Sequence, residues 1–282
     1  MLIAQITDIH LGFDPDNPAE YNRKRLDEVL DVLIDGPNRP DLLLATGDVT
    51  DRGDEDSYRR LANAFSRCPF PVWVSVGNHD LRDNFHARFP GLDDGNGFVQ
   101  YAIELPELRL VTIDTLEEGR HGGAFCATRA AWLDAELAKE PAKPTYIVMH
   151  HPPIESGIEW MNTHPDEPWV ATFTDVVRKH GQVRGLICGH LHRSVTVAWE
   201  GRTVAICSST APQVSLDLRP IDADRPDDRP MIVAEDPAYA LHRWNGRELV
   251  SFYDHAGAHT MLAKYDERLQ PLVRELKAER PG

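Results

Sequence analysis

The sequence predicts an α/β fold: two β-sheets packed face to face with helices outside, forming a four-layer α/β/β/α sandwich with a C-terminal cap or dimerisation appendage. Three observations lead to this prediction. Short apolar runs alternate with segments of helical periodicity, as in β-α-β units. Hairpin patterns interrupt that alternation, so the sheets are mixed. The run at residues 42–46 shows no alternation, which is typical of a parallel strand covered on both faces.

The individual elements are bounded by turn residues. The first helix carries Leu26, Leu30 and Leu33 at helical spacing and is ended by Gly36 and Pro37. Asn245-Gly246 is a strong hairpin signal between two late strands. We predict strands at residues 2–6, 42–46, 72–76, 101–105, 108–113, 145–149, 183–188, 196–199, 203–208, 238–244 and 249–253, and further helices at 54–66, from about 128, at 173–180 and around Leu269, Leu272, Val273 and Leu276. Residues 218–230 are rich in proline and charge, which predicts an exposed excursion.

Charge and composition exclude several classes of protein. With 45 acidic and 30 basic residues, the net charge is -15, so a long nucleic acid is not expected as a partner. No apolar run approaches the roughly 18 residues needed to cross a bilayer, and the first strand leaves no room for a signal peptide. The four cysteines lack disulfide-framework spacing and are expected to be free and buried. These features predict a soluble, cytoplasmic protein that does not act at a membrane.

Polar side chains recur where apolar runs end. The same sequence pattern occurs five times: a strand-like apolar run, a small or turn residue, then Asp, Asn or His. Because strand ends on one side of a layered α/β protein converge, these groups should meet in one crevice. The seven candidate ligands are Asp8, His10, Asp48, Asn78, His150, His190 and His192.

This donor set indicates a metal site. Seven groups are too many for one tetrahedral ion and suit two. Nitrogen and oxygen donors without thiolate favour two divalent or mixed-valence ions of Mn, Fe, Zn or Co. Two such ions clamp the attacking and leaving oxygens of a displacement at phosphorus, as in a phosphoester hydrolase. His79, next to Asn78, is expected to hydrogen-bond a phosphoryl oxygen or protonate the leaving alkoxide rather than bind metal.

Five motifs occur in order along the chain: Asp8-x-His10, Gly47-Asp48, Gly77-Asn78-His79-Asp80, His150 and Gly189-His190-x-His192. They resemble those of a known family, the calcineurin-like metallophosphoesterases. The resemblance extends to the bacterial class III cyclic-nucleotide phosphodiesterase and glycerophosphodiesterase branch through His150-His151-Pro152-Pro153, residues 208–214 and the late strands with Leu241-His242-Arg243 and Val250-Ser251-Phe252-Tyr253. It implies the metallophosphoesterase fold and a two-metal site in which Asp48 bridges the ions. One ion would then have Asp8, His10, Asp48 and His192 as ligands, and the other Asp48, Asn78, His150 and His190.

The resemblance also implies a reaction: hydrolysis of small phosphodiesters by attack of a metal-bound hydroxide. Expected substrates are 3',5'-cyclic nucleotides such as cAMP, or glycerophosphodiesters. The catalytic residues would be Asp48, Asn78 and His79, and the substrate would contact His79, His151 and His121. Asp51 stands where purple acid phosphatases place a tyrosine, so a tyrosinate–iron site is not expected. No histidine lies near Pro212, which leaves glycerol-type contacts open.

Alternatives remain at this point. A broad phosphomonoesterase or nuclease of the same fold would use the same residues, and a non-catalytic metal-binding interaction module could keep the fold without turnover. We divide the chain into a binuclear-metal catalytic domain at residues 1–215 and a C-terminal cap or oligomerisation segment at residues 216–282. The segment predicts a homo-oligomer, a dimer or higher.

Overall fold

The computed structural model describes residues 1–280, and two residues of the predicted C-terminal segment, 281 and 282, lie outside the described residues. In chain order the elements are β1 (Leu2–Ile6), α1 (Tyr21–Asp35), β2 (Leu42–Thr46), α2 (Glu55–Phe65), β3 (Val72–Ser75), α3 (Arg82–Arg88), β4 (Tyr101–Glu104), β5 (Arg109–Thr112), α4 (Ala127–Ala138), β6 (Thr145–Val148), α5 (Pro168–Arg178), β7 (Val183–Cys188), β8 (Val195–Trp199), β9 (Arg202–Ile206), β10 (Gln213–Val214), β11 (Ile232–Val233), β12 (Ala238–Trp244), β13 (Leu249–His255) and α6 (Gln270–Ala278). A short 3-10 helix lies at Glu159–Met161.

Two sheets form the centre of the fold. The first has the order β13-β12-β1-β2-β3, with β1, β2 and β3 parallel and β12 antiparallel to β1. The second has the order β4-β5-β6-β7-β9-β8, with four parallel strands inside and an antiparallel strand at each edge. The carboxyl ends of the parallel strands therefore lie at one edge of each sheet.

Side-chain alternation explains why the sheets form a sandwich. In β6, Val148 packs into the core shared with the first sheet, whereas Ile147 packs with α4 and α5. In β7, Ile187 packs into the shared core and Leu186 packs on the side of α4 and α5. Successive strand residues point to opposite faces, so each inner strand is buried on both sides. Helices α1 and α2 cover the outer face of the first sheet, and the predicted α/β/β/α layering is confirmed.

The C-terminal strands belong to the first sheet. Residues of β12 pair with β1, for example Leu241 with Ala4, and β13 forms the sheet edge beside β12. Strands predicted within the segment 216–282 therefore complete the sheet that carries the N-terminal strand. The side chains of residues 216–236 and of the part after β13, with α6, are largely exposed.

Some local expectations differ from the structure. Helix α5 begins at Pro168, earlier than the predicted residue 173, because proline at the first helical turn needs no hydrogen bond there. The residues that flank the excursion pair as a two-stranded ribbon, β10 and β11. All four cysteines are free, but only Cys188 and Cys207 are buried, whereas Cys126 is exposed at the start of α4. In residues 1–280, no helix combines the length and apolar character that crossing a membrane requires.

Candidate metal centre

Ligand-capable side chains lie where the parallel strands of both sheets end. Asp8 and Asp48 each follow the last residue of β1 and β2 by two positions, and His150 and His190 do the same after β6 and β7. Asn78 follows β3 by three. The loops touch directly: the backbone N–H of His190 donates to Asp8 Oδ2 at 3.0 Å. The crevice is therefore formed by both sheets together.

The backbone at these loop residues is unusual. Five of the seven candidate ligands have positive φ, although none is glycine. Non-glycine residues rarely adopt this left-handed conformation, and such strain clusters at functional sites. These five are Asp8 (50°), His10 (47°), Asp48 (47°), His190 (72°) and His192 (51°).

Two glycines let the loops approach. A Cβ at Gly77 would lie 2.3 Å from Asp48 Oδ1, and a Cβ at Gly47 would lie 2.5 Å from His150 Nδ1. Gly47 also has φ of +88°. The glycine before Asp48 and the glycine before Asn78 are thus required by the close packing of the ligand loops.

The side-chain donor atoms converge. His150 Nε2 lies 3.3 Å from Asp48 Oδ2 and 3.8 Å from Asp8 Oδ1. Asp8 Oδ1 is also 3.3 Å from His192 Nε2, and Asp48 Oδ2 is 3.7 Å from His10 Nε2. Buried polar atoms are normally hydrogen-bonded, yet Asp8 Oδ1 and His150 Nε2 have no hydrogen-bond partner within residues 1–280. Two such ligand atoms facing each other fit a metal site.

The far sides of the imidazoles are held by backbone carbonyls. His150 Nδ1 lies 2.9 Å from Thr46 O, and His192 Nδ1 lies 2.9 Å from Pro212 O. A carbonyl only accepts, so each Nδ1 carries a proton, and Nε2 is the nitrogen that can bind an ion once it is deprotonated. His10 Nε2 and His192 Nε2 are 3.2 Å apart, a close approach that a cation between them would favour. The residues present therefore fit a metal centre, and four overlapping groups of three have donor atoms close enough to hold an ion.

The electrostatics also favour cations. Burial would raise the pKa of Asp8, but His192 and His150 lower it to about 2. Burial likewise opposes charge on His150, yet Asp48 and Asp8 raise its pKa to about 9. Burial and the neighbouring His150 lower the pKa of His190 to about 3. At neutral pH the carboxylates of Asp8 and Asp48 are ionised and His190 is neutral, the forms that bind metal, whereas His150 must release a proton when an ion binds.

His79 lies at the mouth of the crevice. Its backbone N–H donates to Asp48 Oδ1 at 2.8 Å, and its Nδ1 lies 2.9 Å from Asp51 O. The His79 side chain is one-third exposed, and its ring contacts that of His10 edge-on at 4.5 Å between centroids. Nδ1 donates to a carbonyl, and Nε2 makes no hydrogen bond within residues 1–280. The exposed His121 ring lies 6.1 Å away across the mouth.

His151 was predicted to contact the substrate together with His79 and His121, but unlike them it does not lie at the mouth of the crevice. It is fully buried, and its Nε2 lies 3.1 Å from both Asn78 Oδ1 and His121 O. Thr115 Oγ1 lies 2.8 Å from its Nδ1. In this arrangement His151 supports Asn78 and the loop of His121, and burial keeps it from direct contact with a substrate.

Asp80 has a role that the sequence analysis left unassigned. Its two carboxylate oxygens accept from the backbone N–H groups of Gly77, Val49 and Thr50 and from the hydroxyls of Thr50 and Tyr58. Asp80 thereby ties the loop after β3 to the loop after β2. A carboxylate directly after the ligand motif was the only signal in the sequence.

Comparisons with known proteins agree with this geometry. A model of the calcineurin-like phosphoesterase family matches residues 1–194. The chain therefore belongs to the calcineurin-like phosphoesterase family, as the motifs predicted.

Two relatives have names that state a particular reaction. A probable glycerophosphodiester phosphodiesterase, GpdQ of Arcobacter nitrofigilis, is 31% identical over 250 residues, covering 86% of this chain and 89% of the relative. The 3',5'-cyclic adenosine monophosphate phosphodiesterase CpdA of Escherichia coli is 27% identical over 216 residues, covering 75% and 76%. A solved dimetal phosphatase from Danio rerio has a TM-score of 0.61 at 15% identity, covering 89% of this chain and 98% of that one, and supports the fold.

Proposed function

We propose that this protein is a dinuclear metal-dependent phosphoric diester hydrolase that acts on small phosphodiesters. The observation that carries the proposal is the pair of buried, unpartnered atoms Asp8 Oδ1 and His150 Nε2 within a cluster of imidazoles and carboxylates. The names of the two relatives, a glycerophosphodiesterase and a cyclic nucleotide phosphodiesterase, support a diester as substrate.

The ligands of the first ion are proposed to be Asp8, His10, Asp48 and His192, and those of the second Asp48, Asn78, His150 and His190. The short distances from Asp48 Oδ2 to imidazoles of both sets, 3.7 Å to His10 and 3.3 Å to His150, support a bridging role for Asp48. Bound ions supply positive charge that neutralises phosphoryl oxygens and makes water more acidic. Mn, Fe, Zn and Co all suit nitrogen and oxygen donors.

The chain's own residues bind and orient the diester at the mouth. Because Nδ1 donates to Asp51 O, His79 is proposed to act in its doubly protonated form, in which Nε2 donates to a phosphoryl oxygen or protonates the leaving oxygen. Asn78, held by His151, is proposed to bind the second ion beside the reacting phosphoryl group. His121 lines the opposite side and is proposed to contact the substrate beyond the phosphate.

The first test is hydrolysis of bis(p-nitrophenyl) phosphate and p-nitrophenyl phosphate by chelator-stripped protein, with and without added Mn²⁺. We expect turnover that depends on Mn²⁺ and favours the diester. cAMP and glycerophosphodiesters then identify the natural class. Preference for the monoester would support a phosphomonoesterase instead, and inactivity with every metal would support a non-catalytic module.

Pairing of subunits through the C-terminal segment is part of the proposal, as is a cytoplasmic location. Apolar side chains of this segment are exposed, among them Phe252, Leu262, Leu272 and Leu276. We expect light scattering to give a mass of two or more chains, and the double variant Leu272→Glu, Leu276→Glu to dissociate. A monomeric wild-type protein would contradict pairing.

A further inference from the structure

A chain of buried polar side chains crosses the core beneath the metal centre. Gln5 of β1 and His242 of β12 are both fully buried, and neither belongs to the proposed ligands. Gln5 Nε2 lies 2.9 Å from Thr46 Oγ1 and 2.8 Å from Cys188 O, and Gln5 Oε1 lies 3.0 Å from His242 Nε2. His242 Nδ1 in turn lies 2.7 Å from Ser251 Oγ.

The donors and acceptors of these buried side chains can be assigned in only one way. Cys188 O only accepts, so the Gln5 atom that faces it is the amide nitrogen, and the amide oxygen faces His242. His242 must therefore carry its proton on Nε2 and accept from Ser251 at Nδ1. Burial lowers the pKa of His242 to about 4, so the neutral ring that this pattern needs is the form present at neutral pH. Both amide protons and the amide oxygen of Gln5 are satisfied.

The two acceptors of Gln5 lie at the ends of strands from different sheets. Thr46 ends β2 and is followed by Gly47 and Asp48, whereas Cys188 ends β7 and is followed by Gly189 and His190. The carbonyl of Thr46 also accepts from His150 Nδ1. One amide thus joins the starting points of two ligand loops.

We propose that Gln5, held in orientation by His242, is a positioning residue that fixes the spacing between the Asp48 and His190 loops and thereby sets the affinity of the centre for its ions. The proposal rests on the metal centre of the proposed function, but not on its substrate. Residues behind metal ligands commonly change affinity by about 10- to 100-fold when replaced.

The test compares Gln5→Leu with Gln182→Leu. Gln182 is a matched control because it is also largely buried and donates to a backbone carbonyl, Leu137 O at 2.8 Å, before β7 begins rather than where it ends. Mn²⁺ binding to metal-free protein is measured from the electron paramagnetic resonance signal of free Mn²⁺. We expect Gln5→Leu to weaken binding of at least one ion by about 10- to 100-fold, and Gln182→Leu to stay within about twofold of wild type.

His242 supplies a second pair of variants, which also serves if Gln5→Leu does not fold. His242→Phe removes the donor to Gln5 and is expected to weaken Mn²⁺ binding, whereas His242→Gln keeps a donor and is expected to restore much of it. Equal binding by wild type and both Gln5→Leu and His242→Phe would overturn the positioning role, as would an equal loss in Gln182→Leu. If wild-type protein binds no Mn²⁺, the proposed metal centre and the positioning role of Gln5 are both contradicted. If the protein binds Mn²⁺ normally but does not hydrolyse diesters, only the proposed reaction is contradicted.

Discussion

Replacing Asp48 with asparagine is expected to lower diester turnover by about 1000-fold or more and to reduce the number of bound Mn²⁺ ions from two to one or none. Asp48 Oδ2 lies 3.3 Å from His150 Nε2 and 3.7 Å from His10 Nε2, between the two proposed ligand sets. Its other oxygen accepts from the backbone of His79. Asparagine lacks the negative charge that a bridging position requires, so we expect both ions to lose a ligand.

Metal content after dialysis and turnover of bis(p-nitrophenyl) phosphate measure this effect. Asp56→Asn is the matched control, because Asp56 is exposed on α2 and pairs with Arg59 and Arg60 far from the ligand loops. The control should bind two ions and turn over as wild type does. Two tightly bound ions in Asp48→Asn would show that Asp48 does not bridge.

His79→Gln is expected to lower kcat by about 100- to 1000-fold while leaving Mn²⁺ binding nearly unchanged. Metal binding should persist because the contact of residue 79 with Asp48 is made by the backbone N–H, which every side chain retains. What the variant loses is the free imidazole nitrogen at the mouth.

The identity of the leaving group separates the two roles proposed for His79. If His79 protonates the leaving oxygen, the decrease in kcat should be large for an alkyl or cyclic diester and small for a p-nitrophenyl ester, because p-nitrophenolate leaves without a proton. If His79 only binds a phosphoryl oxygen, kcat should fall by the same factor for both kinds of substrate. His86→Gln is a suitable control, since His86 lies on α3 with an exposed contact to Gly97 O. Unchanged kcat for both substrates would remove His79 from the mechanism.

The sequence predicted the parts of the site that depend on local order. Each candidate ligand follows an apolar run, and parallel strands bring such ends together whatever the details of packing. The layers and most element bounds followed from the same periodicity. Asp8, Asp48 and His150 could therefore be assigned to one crevice before any distance was known.

What could not be predicted depends on contacts across the whole chain. Nothing in the sequence links Gln5 with His242, and only the pairing of β12 with β1 brings them together. The composition change after residue 215 indicated a separate segment, but hairpin patterns do not reveal which sheet a hairpin joins. The burial of His151 similarly depends on how the loop of His121 folds over it.

The position of β1 between β2 and β12 has a consequence for biosynthesis. The strand that carries Asp8 is translated long before one of its two neighbours, β12. Pairings so distant in sequence form slowly because a long loop must close first. Until residue 244 has emerged, one edge of β1 stays open to pairing with other nascent chains.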